Sequence, residues 1–388
     1  MIVKNKNKKV VIAMSGGIDS SVSAALLKRA GFNVIGVFMK FWTDNTEGAE
    51  NRCCSPESEN RARTIASILN IPFYVFDFKK EFKKTVVDYF LKEHKAGRTP
   101  NPCVICNKYI KFGMLLEKAL KLNADFIATG HYARLSSSHP LLNPPPPKGR
   151  GRKGGGGEIK LLKGKDKIKD QSYFLWQLDQ KQLDRILFPV GNYTKTEVKK
   201  LAKKFKLPFV NIKESMEICF VSATINDFLK KHLKSKKGNI VDTKENILGK
   251  HNGLWLYTIG QRKGLGFSGG PYFVLNKNLK TNTLVVTKNQ KDLYKKELIC
   301  KNINWISGKQ PKFPLKVKAK IRYQHSPALV TILSTPHHLP HLKGKWESKS
   351  EVGKNLKIVF NKPQRAITSG QSVVFYEQNQ VLGGGIII

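Results

Sequence analysis

The sequence predicts an α/β fold with an N-terminal Rossmann-like domain on a parallel sheet, a small central domain and a C-terminal β-barrel. Three observations lead there. The first 130 residues alternate short apolar, β-branched runs with amphipathic helical ones, the signature of a parallel sheet covered on both faces. Beyond about residue 225 the texture changes to short strands and glycine turns. At 388 residues the chain also exceeds what one hydrophobic core usually fills. The expected boundaries are 1–225, 226–296 and 297–388.

In order, "KKVVIAM" reads as a strand. "SSVSAALLKRAG" is a helix ending at Gly31, a good residue just past a helix C-terminus. "NVIGVFM" is a second strand, "RARTIASILNI" a second helix, "PFYVFDF" a third strand and "ADFIATG" a fourth that ends in glycine. "NKYIKFGMLLEKALKLN" carries apolar residues at core spacing and predicts a helix with Asn107 as its N-cap. Residues 136–157 are Pro- and Gly-rich low complexity, read as an inserted surface loop. A second insertion is expected at 336–354, where the histidines are too irregular in spacing for a metal site. "LKVKAKIRY" alternates strictly, so Lys316, Lys318, Lys320 and Arg322 line one face of a strand at about 6.6 Å intervals. The face is either simply solvated or a track for an RNA backbone. The final "SGQSVVFYEQNQVLGGGIII" reads as a hairpin closing the barrel.

Charge narrows the function classes. Lys and Arg number 69 against 28 Asp and Glu, a net +41. Such a chain repels itself unless a polyanion, nucleic acid foremost, is a habitual partner, although a Lys-rich proteome would raise the charge as well. No run approaches the ~18 apolar residues of a membrane span, and the N-terminal apolar stretch is too short for a secretory signal. The chain therefore reads as cytosolic. Six cysteines are too few for a disulfide scaffold at this length, so the thiols are expected to be reduced, buried, metal-bound or catalytic.

"VVIAMSGGIDSSVSAALL" is a strand, a glycine turn and a helix in succession. Gly16 and Gly17 let backbone approach an oxyanion, Ser15, Ser20 and Ser21 add hydroxyls, and the helix N-terminus adds its dipole. The stretch lacks the lysine of a Walker A loop and the three glycines of a dinucleotide fingerprint. Asp19 suits a Mg²⁺ ligand, since a carboxylate beside phosphates needs a cation between them. In this context S-G-G-x-D-S resembles the PP-loop ATP pyrophosphatase superfamily. The resemblance implies ATP cleaved between its α- and β-phosphates, with AMP placed on a substrate oxygen.

"NPCVICN" sets two cysteines three positions apart, a spacing that serves half a zinc site, a redox pair or a reactive thiol. Zinc lacks a second ligand pair, because Cys53 and Cys54 are adjacent and Cys219 and Cys300 solitary. A thiol at a helix N-terminus near Lys108 and Lys111 has a lowered pKa, which suits a nucleophile.

Further motifs are "GVFMKFW", "AGRTPNPCVICNKYIKF", "ATGHYAR", "KDQSYFLW", "FPVG", "EICFV", "GQRKGLG", "IRYQ" and "LGGGII". Together, in this order, they closely resemble the tRNA-specific 2-thiouridylases over nearly the whole chain apart from the two insertions. The resemblance implies Cys106 as nucleophile and Cys219 as the persulfide-bearing cysteine, with a transient disulfide between them. It implies an ATP site of Ala13, Met14, Ser15, Gly16, Gly17, Ile18, Asp19 and Ser20, with Met39 and Gly130 at the adenosine. It further implies tRNA or base contacts from Asn101, Pro102, Cys103, His131, Lys169, Asp170, Gln171, Arg322, Tyr323 and Gln371. Cys103 falls where many relatives have Asp, which leaves its role open. Partners implied are the anticodon arm of tRNA and a persulfide donor or sulfur-relay protein, with the enzyme a monomer. One mechanistic rival stands beside this reading: Cys103, Cys106 and Cys219 could instead ligate an iron–sulfur cluster. Another PP-loop tRNA-modifying ligase is the second, and a basic RNA-binding module with a dead active site the third.

Overall fold

The computed structural model describes residues 8–44, 55–136, 158–209, 218–266, 268–335 and 355–388. Cys53, Cys54 and both expected insertions, apart from Ser136, lie outside the described residues.

The N-terminal half opens with β1 (Lys9–Ala13), α1 (Ile18–Arg29), β2 (Asn33–Lys40), α2 (Pro56–Ile68), β3 (Phe73–Asp77) and, after two long helical stretches, β4 (Phe126–Ala128). With Ile186–Leu187 these strands form a five-stranded, all-parallel sheet in the order β3, β2, β1, β4, 186–187. β1 lies in the middle, and its Val10, Val11 and Ile12 are fully buried, which is why it reads as an unbroken apolar run rather than an alternating one. α1 stops where the sequence says it should: Gly31 takes φ 84°, the left-handed turn that ends a helix.

The helix predicted to start at Asn107 starts earlier. Asn101 is its N-cap position and Pro102 its first residue, and the helix runs on through 121. The proline fits because the first helical N–H has no intrahelical partner to lose. Between Cys106 and Met114 the winding is π-helical, a form that is rare and concentrated at functional sites. Asn107 therefore sits inside the helix, where its Nδ2 donates to the Phe174 carbonyl at 3.2 Å.

The central unit is a four-stranded sheet, ordered Phe273–Asn278, Thr283–Thr287, Gly238–Val241, Ile247–His251, on its own small core around Val274, Leu284 and Val286. The C-terminal unit is a closed six-stranded barrel, because Tyr294–Trp305 pairs with both Leu356–Arg365 and Gln380–Ile387. The expected terminal hairpin, Ser372–Glu377 with Gln380–Ile387, completes it. Leu161–Lys163 pairs with Val381 and Gln380 and extends the barrel sheet toward the N-terminal half.

The "KDQSYFLW" segment is the rivet between the first and last units. Tyr173 donates to the Ser372 carbonyl at 2.8 Å, and Trp176 donates through Nε1 to Ser372 Oγ at 3.0 Å. Both rings are fully buried in a core that also holds Val11, Val37, Val374 and Tyr376. Among the described residues no helix is long and apolar enough to cross a membrane.

Candidate functional site

In an open parallel sheet the ligand crevice lies beyond the C-terminal strand ends, where the strand order reverses. Here the reversal falls between β1 and β4. Residues 14–17 leave β1 at that point and Thr129, Gly130 and His131 leave β4 beside them.

The loop is tied to itself and open to an anion. Ser20 Oγ donates to Gly17 O at 2.9 Å and accepts from Ser15 N at 3.2 Å, while Ser21 Oγ also donates to Gly17 O. No side chain caps α1, so its first amides face the loop ready for an oxyanion. Gly16 has φ 73°, and a Cβ there would stand 2.3 Å from the Ser58 carbonyl oxygen at the start of α2. A Cβ on Gly130 would stand 2.8 Å from Ser20 N. The glycines thus allow three backbone segments to crowd together at the switch point.

Asp19 is not an open carboxylate. Lys195 Nζ reaches its two oxygens at 2.7 and 2.9 Å, and the Tyr132 hydroxyl donates to Oδ1 at 2.7 Å. Lys195 is the first residue of the helix Lys195–Lys204, which is held by a capping box between Thr194 and Glu197. Its side chain is only 13% exposed. Neither Lys195 nor Tyr132 is among the site residues that the sequence suggested. "TKTE" does announce a helix start, but nothing local ties it to a carboxylate 176 positions earlier.

The thiols lie on the other side of Met39. Cys106 is buried in an aromatic cluster with Phe41, Phe82 and Phe220, and Cys219 and Met39 pack against that cluster. Met39 also packs against the core beneath the sheet. Met39, at the end of the strand beside β1, thus joins the core beneath the sheet to the cluster around Cys106. Cys106 is the fifth helical residue, beyond the first turn where the helix dipole acts, whereas Cys103 is the second. Cys103 is exposed in that first turn. Cys300 is a barrel-core residue whose thiol burial pushes far up. Among the described residues no group of three or more His, Cys, Asp or Glu gathers to hold a metal, so the three cysteines do not form a cluster site.

Several residues expected at the RNA face turn inward. Asp170 accepts from Gly164 N, Ser172 N and Ser172 Oγ, and Gln171 Oε1 accepts from Tyr132 N at 3.0 Å. His131 is buried between Phe112 and Phe188 with Thr129 Oγ1 2.7 Å from Nδ1; burial and the Lys111 charge hold it neutral. Arg322 Nη2 reaches Ile259 O, Ala366 O and Thr368 Oγ1, and Gln371 Nε2 reaches Thr99 O. Lys169 and Tyr323 are half-buried, Tyr323 with its ring centre 4.6 Å from that of Phe174 and tilted 41° to it, and the alternating lysines of Leu315–Lys320 line a barrel strand. Of those lysines, Lys316 and Lys318 are exposed, while Lys320 is half-buried with its ammonium 5.7 Å from the Tyr323 ring centre.

A glycine turn at the switch point of a parallel sheet, joined to two β units, defines an α/β enzyme of the phosphate-loop class with two appended β domains. Residues 8–223 match the family model described as tRNA methyl transferase HUP domain, 226–288 the tRNA methyl transferase PRC-barrel domain, and 337–387 the aminomethyltransferase beta-barrel domain. The tRNA-specific 2-thiouridylases MnmA of Clostridium perfringens and Clostridioides difficile are each 45% identical to the chain, with 98% of both partners covered. That of Clostridium kluyveri is 42% identical over 98% of this chain and 99% of its own. The chain belongs to the tRNA-specific 2-thiouridylase family.

Proposed function

We propose that the chain replaces the 2-oxygen of the wobble uridine in tRNA by sulfur, consuming ATP and releasing AMP and pyrophosphate. The observation that carries this reading is a phosphate loop and two thiols in one unit: Met39, on the strand next to the one that carries the loop, packs on the cluster that holds Cys106 and against which Cys219 packs. Methyl transfer, named in the family-model descriptions, calls for neither a phosphate loop nor a thiol pair.

The chemistry follows from what a uracil lacks. Its 2-oxygen is a poor leaving group until it attacks the α-phosphorus of ATP, expelling pyrophosphate and becoming part of an adenylate. The loop amides and the α1 N-terminus stabilise the charge that builds on the departing phosphates. Sulfur then arrives as the outer atom of a persulfide on Cys219. Either that sulfur attacks C2 directly and Cys106 next cleaves its S–S bond, or Cys106 attacks Cys219 first and frees hydrosulfide to attack C2. In both, AMP leaves and a Cys106–Cys219 disulfide remains, which a dithiol or two monothiols must reduce. A stacked base hides its 2-oxygen, so the target uridine enters the crevice flipped out.

Asn101, Pro102 and Cys103 stand where that base would meet the first turn of the thiol helix, and Lys169, Tyr323 and the lysine strand are the RNA-facing surface. Asp19 is already shared by Lys195 and Tyr132, so a magnesium ion accompanying the nucleotide would be held chiefly by the nucleotide's own phosphates and would offset their charge. The protein would work in the cytoplasm beside its tRNA, taking sulfur from a persulfide donor.

Mass spectrometry of nucleosides from tRNA incubated with the protein, ATP, Mg²⁺ and a persulfide source tests the reading directly: 2-thiouridine is expected, and nucleotide consumption without it would end the proposal. Cys106→Ser or Cys219→Ser is expected to abolish thiolation while tRNA affinity, read by filter binding, changes less than about threefold. Full activity in either variant contradicts the thiol roles.

A further inference from the structure

The loop that launches the thiol helix, residues 98–101, is held from outside its own domain. Thr99 N donates to the Ser369 carbonyl at 2.9 Å. Gln371 Nε2 donates to Thr99 O at 2.8 Å and reaches Pro100 O at 3.4 Å. Gly370, at φ 91°, presses its backbone so close that a Cβ there would lie 2.9–3.0 Å from three Thr99 backbone atoms. The central unit joins in through Thr258 Oγ1, 3.2 Å from Thr99 Oγ1. Arg322 steadies the same barrel segment, bonding Ala366 O and Thr368 Oγ1 from one nitrogen that also reaches Ile259 O.

We propose that Gln371 is a positioning residue for the catalytic thiol helix: with Gly370 it clamps Thr99 and Pro100, fixing where the helix that carries Cys103 and Cys106 begins. This assigns the amide of Gln371 to the enzyme's own backbone rather than to RNA. Two residues after Pro100 the helix starts, and Pro102 at its first position leaves no N–H there to anchor it. The helix start therefore depends on contacts upstream, and the barrel supplies them. A barrel that binds the anticodon arm would thereby be mechanically continuous with the nucleophile.

The inference rests on the reading of this helix as catalytic, and the test separates the two. Iodoacetamide labelling of the full-length protein without tRNA or ATP, followed by peptide mass spectrometry, measures the modification rates of Cys103 and Cys106, with buried Cys300 as the internal control. Gln371→Ala removes both donors while leaving fold and charge intact. Gln371→Glu replaces donors by acceptors facing two carbonyls, and Gly370→Ala forces a Cβ into the Thr99 backbone.

Loss of about one net hydrogen bond is expected to raise Cys106 labelling about tenfold in Gln371→Ala, more in the other two, with Cys300 unchanged. Thiolation kcat should fall with it while the Kd for tRNA holds. Unchanged labelling overturns the proposal, and a raised Kd for tRNA with normal labelling would identify Gln371 as an RNA contact. A general rise that includes Cys300 would mean global loosening and also overturns it. Wild-type protein that labels as expected but never thiolates would sink the proposed function and leave the clamp standing.

Discussion

Lys195 carries the electrostatics of the phosphate loop. Asp19 sits in the first turn of α1, where a carboxylate beside incoming phosphates would repel them if it stood alone. The two hydrogen bonds from Lys195 neutralise it and hold an ammonium at the mouth of the cradle. Lys195→Met keeps the length and removes the charge. ATP affinity, measured by calorimetry without tRNA, should weaken about tenfold or more, since a charge-assisted hydrogen bond contributes about 1.5–3 kcal/mol. Lys195→Arg should recover part of it, and equal affinity in all three proteins would show that the pair is only structural. At this scale the sequence exposed residue types but not their partners. Gly16 was legible because nothing but glycine permits its backbone approach to Ser58, whereas Gly17, at φ −91°, leaves room for a Cβ. Asp170 and Gln171 were not legible, because a polar residue in a motif reads the same whether it faces RNA or staples Ser172 and Tyr132.

At the scale of the element, the thiol helix is wound loosely where its chemistry lies. A π-turn widens the spacing between carbonyl and amide, and Gln182 compensates: its Nε2 donates to Phe112 O at 2.9 Å and reaches Lys108 O at 3.4 Å. The same side chain's Oε1 accepts from Asp179 N, closing a capping box. Gln182→Glu separates the two tasks, since the carboxylate still accepts from Asp179 but presents no donor to the helix. Amide hydrogen exchange across 106–114 should quicken and stability fall by about 1–3 kcal/mol, the cost of a buried carbonyl left facing an acceptor. Exchange that quickens only at 179–183 would refute the assignment. Apolar spacing made this helix visible and misplaced its N-cap by six residues, because Asn107 has the chemistry of an N-cap while the observed cap position, Asn101, precedes a proline suited to the first helical position. The π winding leaves no periodic trace, since core contacts at 110 and 112 suit either pitch. The lysine strand was legible in part: Val317 and Ala319 bury one face and Lys316 and Lys318 stay exposed, but the strand stops at the half-buried Lys320, and Arg322 lies beyond it bonding inward.

For the whole molecule, the seam between the first and central units is titratable. His94, near the end of the helix Asp88–Lys95, is 5% exposed, with Nδ1 3.3 Å from the Trp255 carbonyl of the central unit and its ring centre 4.5 Å from that of Phe90. Burial, aided by the nearby Lys277 charge and opposed by Glu93 and the bond to Trp255, pushes its pKa down to about 4. In the unfolded chain the same imidazole titrates at its ordinary value of about 6.5. Between these limits the unfolded state binds a proton that the folded state refuses, so stability rises with pH through the window and falls on acidification from about 6.5 to about 4. At about 1.4 kcal/mol per pH unit the loss is about 3 kcal/mol, and it levels off once the folded protein also takes the proton. Self-repulsion at a net +41 adds to acid sensitivity, as do the lowered His131 and His251, but these act alike on a variant that lacks only this ring. His94→Gln keeps a donor for Trp255 and cannot titrate. Denaturant melts at pH 7 and pH 4 should therefore show the wild type losing about 3 kcal/mol more than the variant, with the excess confined to that interval. Parallel losses in the two proteins would mean that the seam between the first and central units opens before His94 is protonated, and that the histidine merely follows.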